Sequence, residues 1–338
     1  MPASDLDAFM ATMVAPGDAV SVTAAAALAR EEYGLEVTAT RLSGERDENF
    51  KLTDAQGRLY VLKIANAAED PVITDLPTAA LLHVERVSPE LPCPRVLRNR
   101  AGLTQVRYDG RTARVLTYLQ GKTLRSAEHS AQQRAACGRL AARLGTALRS
   151  FTHPAAERFL IWDLRHVGRT ITLLDELRDF PSREAVAALL ERIDARIASE
   201  FPHLRQQVIH NDLNDMNLLV DPRNEATVTG VIDFGDLVHT ALVADVAIIA
   251  ADQLAVSQPP RDTIADIVMA YHDTTPLLPR ELAMLNPLIA GRILADVLIA
   301  SWHRRRNPSG THYSDLDPSY IRERVQLAAE LLSSDFRL

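Results

Sequence analysis

Near residue 120 the spacing of apolar residues changes period, and that switch limits what the chain can fold into. Before it, apolar and polar residues alternate in short runs at 36–42, 48–53, 58–64, 95–98, 104–108 and 112–118. Alternation with a period of two is the pattern of half-buried strands. Asp54-Ala55-Gln56-Gly57 supplies a hairpin turn between the second and third runs. Two helical patterns interrupt them, at 23–33 with Gly34 as a stop signal and at 72–87 ahead of Ser88-Pro89. After residue 120 the period becomes 3.6, with long amphipathic segments expected at 127–150, 183–199, 260–272, 280–304 and 318–333. A chain of 338 residues exceeds the usual size of one core. Two lobes are therefore expected, a small α+β lobe over 1–118 and a larger, mostly helical one over 119–338.

Composition narrows the function. Hydrophobic residues make up 47% and charged residues 24%, which excludes wholesale disorder. Lys and Arg total 37 against 44 Asp and Glu, a net charge of −7. That balance argues against nucleic-acid or anionic-membrane partners. Arg304-Arg305-Arg306 ends an apolar helical pattern, where cations suit the helix C-terminus. The apolar stretch 241–256 is broken by Asp245 and Asp252 and is too short to span a bilayer. Met1-Pro2-Ala3-Ser4-Asp5 lacks the pattern of a signal peptide, and Cys93 and Cys137 form no disulfide or zinc framework. A cytoplasmic protein is expected. Composition leaves its oligomeric state open.

One polar stretch interrupts the helical half. Residues 207–236 read as strand, loop, strand, turn, strand, and a polar loop between short apolar strands is where chemistry collects. The loop is His210-Asn211-Asp212-Leu213-Asn214-Asp215-Met216-Asn217, and the last strand leads into Ile232-Asp233-Phe234-Gly235-Asp236. A turn centred near Asn224 sets Asn217 opposite Ile232 or Asp233. An amide oxygen and a carboxylate then converge from adjacent strand ends, a set suited to Mg²⁺. Asp212 would address a substrate hydroxyl beside that metal, and His210 would anchor the loop. Lys63 shares a strand face with Leu59 and Val61, where an ammonium is costly unless an anion meets it.

His-x-Asp-x-x-x-x-Asn followed by Ile-Asp-Phe-Gly-Asp resembles the aminoglycoside phosphotransferase family, which also contains choline, homoserine and hydroxylysine kinases. The resemblance implies a two-lobed protein-kinase-like fold that uses ATP or GTP with Mg²⁺. Asp212 would orient the acceptor hydroxyl and take its proton, while Asn217 and Asp233 would hold the metal. Lys63 would contact the nucleotide phosphates and pair with an acid on the following helix. Asp75 matches best, with Glu69 and Asp70 as alternatives. The loop from Ser43 to Asn49 would cover the phosphates, and Tyr118-Leu119 would be the interlobe hinge that meets adenine. Local strings such as Glu45-Arg46-Asp47-Glu48-Asn49-Phe50, Trp162-Asp163-Leu164 and Asp233-Phe234-Gly235-Asp236-Leu237 are similar to the hydroxylysine kinase-like branch. Asn211 stands where aminoglycoside kinases usually have glycine.

Four acids are candidates for binding a substrate amine: Asp236, Asp245, Asp215 and Asp163. The expected activity is transfer of the γ-phosphate to a hydroxyl of a small amine-bearing metabolite, an amino alcohol or hydroxy amino acid. Aminoglycoside, choline and homoserine kinases are the alternatives within the class, and a nucleotide-binding pseudokinase is the rival from another. His83, His153, His203 and His239 have no metal-ligand spacing, and Trp162 and Trp302 read as packing anchors.

Overall fold

The computed structural model describes residues 20–334 and 336, without 45, 181, 256–258 and 307–316. The reading of residues 1–5, and Glu45 of the loop, lie outside the described residues. The chain forms two compact units. The first comprises the chain up to Gly121, joined by Phe151–Phe159 and Thr229–Gly235, and the remainder forms the second.

The first unit is an antiparallel sheet of five strands with two helices. Its elements are α1 (Val22–Tyr33), β1 (Val37–Leu42), β2 (Glu48–Asp54), β3 (Leu59–Ile64), α2 (Pro71–Val87), β4 (Val106–Tyr108) and β5 (Arg111–Thr117). The strand order is β1-β2-β3-β5-β4. Ser21 caps α1 by accepting from the amide of Ala24, and Asp70 caps α2 ahead of Pro71 at its first turn. Phe50, Leu52, Leu62, Ile64 and Val115 line the sheet's buried face, which packs with Leu28 and Ala29 of α1. The stretch 95–98, expected as a strand, makes only a bridge between Val96 and Leu116. Pro92 and Pro94 have no amide hydrogen to extend that ladder.

The second unit is mainly helical. It contains β6 (Lys122–Thr123), α3 (Ala131–Leu148), α4 (Arg183–Glu200), β7 (Gln206–Ile209), β8 (Leu218–Asp221), the start of β9 (Asn224–Val231), β10 (Val238–Ala241), α5 (Val243–Gln253), α6 (Pro260–Thr274), α7 (Pro279–Arg306) and α8 (Pro318–Leu332). Two features were not anticipated. Residues Leu164–Leu177 form a run of 3-10 turns, and the apolar stretch after Ala241 is a short helix buried all round. Among the described residues, α7 alone is long and apolar enough to cross a membrane, and 83% of that window is buried inside the protein. It is a core helix by packing.

Only Pro222 and Arg223 separate β8 from β9, so the turn is centred before Asn224. Asn217 precedes β8, and Ile232 and Asp233 follow the end of β9 at Val231.

Helix α3 crosses α6 closely because Gly138 has no side chain. A Cβ there would stand 2.2 Å from the carbonyl oxygen of Ile267. Alanine improves helix propensity by about 1 kcal/mol, but a backbone atom cannot swing away, and overpacking costs about 1–3 kcal/mol. Gly138→Ala should therefore lower the unfolding free energy in urea; a variant as stable as the parent contradicts this crossing.

Candidate active site

The polar loop between β7 and β8 is held from below by a buried carboxylate. Asp245, in the first turn of α5, accepts from the amide of His210 at 3.1 Å and from that of Asn211 at 2.7 Å. Both loop residues are fully buried. Asn211 has φ of +64°, in the left-handed region where asparagine is tolerated better than other residues with a Cβ. That conformation explains how asparagine serves where glycine is usual.

Asp212 follows, and its surroundings fix it in place. Its amide donates to Nδ1 of His210 at 3.3 Å, which puts the proton of a neutral imidazole on Nε2. One carboxylate oxygen accepts from Asn214 Nδ2 at 2.9 Å and the other from Asn217 Nδ2 at 2.6 Å. Asn217 also donates to the Asp212 carbonyl at 3.0 Å. Asn214 accepts in turn from the amides of Met216 and Asn217, so it stitches the loop together. Its role was not read from the sequence. The Asp212 side chain keeps 23% of its surface exposed, enough for a hydroxyl to reach.

In the first unit, Lys63 of β3 pairs in register with Asn49 of β2 and Arg114 of β5. Its ammonium lies 2.8 Å from Asp233 Oδ1. Asp233 is exposed and takes a left-handed φ of +60° just before the 3-10 turn Phe234–Asp236. Asp75 is not the partner of Lys63. It occupies an exposed position on α2, accepts from Gln105 Nε2 at 2.9 Å and stands 3.3 Å from His153 Nε2. Glu69 lies 3.6 Å from Arg158, and Asp70 caps α2. Asn49 reaches back at 3.4 Å to the carbonyls of Ser43 and Asp47. A Cβ at Gly44 would meet that side chain at 2.3 Å, so the loop closes on Asn49 only with glycine there. Tyr118 and Leu119 follow the end of β5; the Tyr118 amide donates to Leu59 at 3.3 Å.

Three of the four acids expected to bind an amine have structural duties instead. Asp245 clamps the loop as described. Asp163 caps the 3-10 run through the amide of Arg165 and accepts from Thr240 Oγ1 at 2.8 Å. Asp215 is buried against Arg125, with Nε at 3.0 Å. A buried carboxylate takes whatever N–H or O–H donors its fold supplies; Asp245 and Asp215 take theirs from within, while Asp163 Oδ2 has, among the described residues, only the Arg165 guanidinium at 3.7 Å. Asp236 is buried in its 3-10 turn. Arg292 and Asp296 of α7 were missed, although two charges one turn apart in an apolar helix were a visible signal. Arg292 Nη2 lies 3.7 Å from Asp212 Oδ1, and its guanidinium carbon lies 4.7 Å from the centroid of Trp162.

A family model described as phosphotransferase enzyme family matches residues 38–284. The chain belongs to that family. It is 27% identical over 317 residues to hydroxylysine kinase of Mus musculus, covering 86% of this chain and 84% of the relative. It is 29% identical over 242 residues to homoserine kinase of Methylobacillus flagellatus, covering 71% of each. Its fold is similar to that of an amicoumacin kinase solved with AMP-PNP, Ca²⁺ and Ami, at a TM-score of 0.64 and 13% identity, covering 87% of this chain and 88% of that one. The family's protein-kinase-like fold, an antiparallel sheet followed by a mostly helical part, is the one described above.

Burial pushes the Asp245 carboxyl up to about 7, against the pull of its two amide donors. A folded-state value above the ordinary 3.8 means that the folded chain binds the proton more tightly. The resulting stability is complete below the ordinary value and is lost as pH rises through about 7. For one group that slope approaches about 1.4 kcal/mol per pH unit. Asp245→Asn should flatten unfolding free energy against pH across this window; an unchanged slope would refute the assignment.

Proposed function

We propose that this chain is a kinase that transfers the γ-phosphate of ATP or GTP to a hydroxyl of a small amine-bearing metabolite. The single observation that carries the reading is Asp212, a partly exposed carboxylate fixed by Asn214, Asn217 and the His210 loop. In this reading its free surface accepts the acceptor's hydroxyl proton while that oxygen attacks the γ-phosphorus and the nucleoside diphosphate leaves. Residues 1–118 serve as the nucleotide lobe and 119–338 as the catalytic lobe. Lys63 neutralises the α/β-phosphates, the Ser43–Asn49 loop covers them, and Tyr118-Leu119 is the adenine-facing hinge.

In this reading Asn217 and Asp233 would each offer an oxygen to a hard cation such as Mg²⁺. Asn217 spends its Nδ2 on Asp212, which leaves Oδ1 as the donor a cation would use. Among the described residues no group of three or more His, Cys, Asp or Glu could hold a metal by itself. Mg²⁺ takes one or two protein oxygens and completes its shell with phosphates and water. When bound, the ion would neutralise charge on the transferring phosphoryl group. An amine-bearing acceptor is supported by the relatives named for hydroxylysine and homoserine. Cys93 and Cys137, both buried and in no disulfide, suit a reducing cytoplasm.

A coupled nucleotide-turnover screen over amino alcohols, hydroxy amino acids and aminoglycosides tests this. Asp212→Asn should lower kcat on the best acceptor by about 10²–10⁴-fold with nucleotide affinity intact. Near-normal turnover in the variant would remove Asp212 from its role. Nucleotide binding with no turnover on any acceptor would make the chain a pseudokinase.

A further inference from the structure

In the proposed reaction Lys63 gives its ammonium to phosphates and Asp233 its carboxylate to a cation, whereas in the structure the two meet each other at 2.8 Å. Once Lys63 changes partner, the Asp233 side chain loses that anchor. Its backbone stands at φ of +60°, a conformation that a residue with a Cβ keeps only where its surroundings impose it. The carboxylate lies against the glycine two residues on, since a Cβ at Gly235 would stand 3.3 Å from Asp233 Oδ1. Whatever holds Gly235 therefore holds the place where Asp233 carries its charge.

Arg158 holds Gly235. Its Nη2 donates to the Gly235 carbonyl at 2.5 Å, and its Nη1 stands 3.6 Å from Glu69 Oε1, just before α2. Only 9% of the side chain is exposed. A guanidinium is planar, so one fork fixes the separation of the two groups it meets, and a nearly buried fork is screened little by water. The segment that delivers it, Phe151–Phe159, belongs to the first unit with Lys63, Glu69 and Asp233. That segment is fastened to α2 at two points. Phe151 is buried, its ring centroid 5.3 Å from that of His83. His153 caps the 3-10 turn Pro154–Glu157 through Nδ1, and its Nε2 stands 3.3 Å from Asp75 Oδ2. Asp75, the acid expected to meet Lys63, thus fastens the segment that carries Arg158.

We propose that Arg158 is a positioning residue: by gripping the Gly235 carbonyl it keeps the Asp233 carboxylate in place for a cation when Lys63 turns to the phosphates. Glu69 orients the guanidinium, so α2 and the turn after β9 are coupled through Arg158 rather than through an acid of α2 paired with Lys63. The role rests on the kinase reading above, in which Asp233 holds the cation. The sign of the effect separates position from charge. As a mere positive charge near Asp233, Arg158 would repel a cation and attract a nucleotide, so its loss would tighten Mg²⁺ and weaken metal-free nucleotide. As a clamp, its loss weakens Mg²⁺-dependent binding and leaves metal-free binding, which runs through Lys63, unchanged.

Calorimetry with non-hydrolysable ATP and GTP analogues, in Mg²⁺ and in EDTA, tests this on the full chain. The parent should bind its preferred analogue more tightly with Mg²⁺. In Arg158→Gln that gain should shrink by about 10–100-fold, the usual effect of removing a group that orients a metal ligand, with affinity in EDTA unchanged. Where Arg158→Gln does not fold, Arg158→Lys keeps the charge and one donor, loses the fork, and should give a smaller loss of the same sign. Glu69→Gln, which leaves Arg158 its charge without its orienting partner, should move the gain in that direction too. An unchanged or enlarged Mg²⁺ gain in the Arg158 variants overturns the clamp and leaves the kinase reading standing. So does an equal loss with and without Mg²⁺, the mark of a merely structural residue, or a parent whose affinity is the same in both buffers. A parent that binds neither analogue in either buffer rejects the kinase reading and the clamp together.

Discussion

Asp245 spends both carboxylate oxygens on two consecutive backbone amides, and the geometry around Asp212 depends on that clamp. Left-handed backbone at Asn211 costs on the order of 1 kcal/mol, and both polar atoms of its side chain are buried without partners among the described residues. The hydrogen bonds from the His210 and Asn211 amides to Asp245 offset part of that cost. With the chain turned at Asn211, the Asp212 amide meets His210 Nδ1 and the carboxylate meets two asparagine side chains. Phosphoryl transfer asks for positioning more than for covalent chemistry, and a loop held this way supplies it.

Strain recurs at the other functional strand end. Asp233 also adopts left-handed backbone and meets the Lys63 ammonium directly. Strained non-glycine residues persist where the surroundings over-determine them, and two of the three such residues in the described chain stand at or beside the proposed reacting groups. The third, Asp109, belongs to the tight turn between β4 and β5.

Much of this was legible in the residues. The change of apolar period marks where sheet gives way to helix, and α2, α4, α6, α7 and α8 lie within a few residues of their expected positions. The His-x-Asp-x-x-x-x-Asn spacing singles out the loop because Asp212 and Asn217 must meet within one tight turn. What a sequence hides is which acid each cation finds. Asp75 was matched to Lys63 by position on a helix, yet its exposed place put it beside Gln105 and His153. Asp245, Asp215 and Asp163 looked available for a substrate because burial and backbone partners are not visible in one dimension. Arg292 was overlooked for the converse reason. It looked like one more charge in a helix, and only packing shows it buried.

The central claim is that the Asp212 loop directs a phosphoryl group onto the hydroxyl of an amine-bearing acceptor. Phosphorus NMR of the product made from ATP, Mg²⁺ and hydroxylysine tests it most directly. Beside the ADP signals, a new phosphomonoester resonance coupled to the carbon that bore the hydroxyl is expected. Inorganic phosphate and ADP as the only new signals, or phosphorus bound to nitrogen, would contradict it.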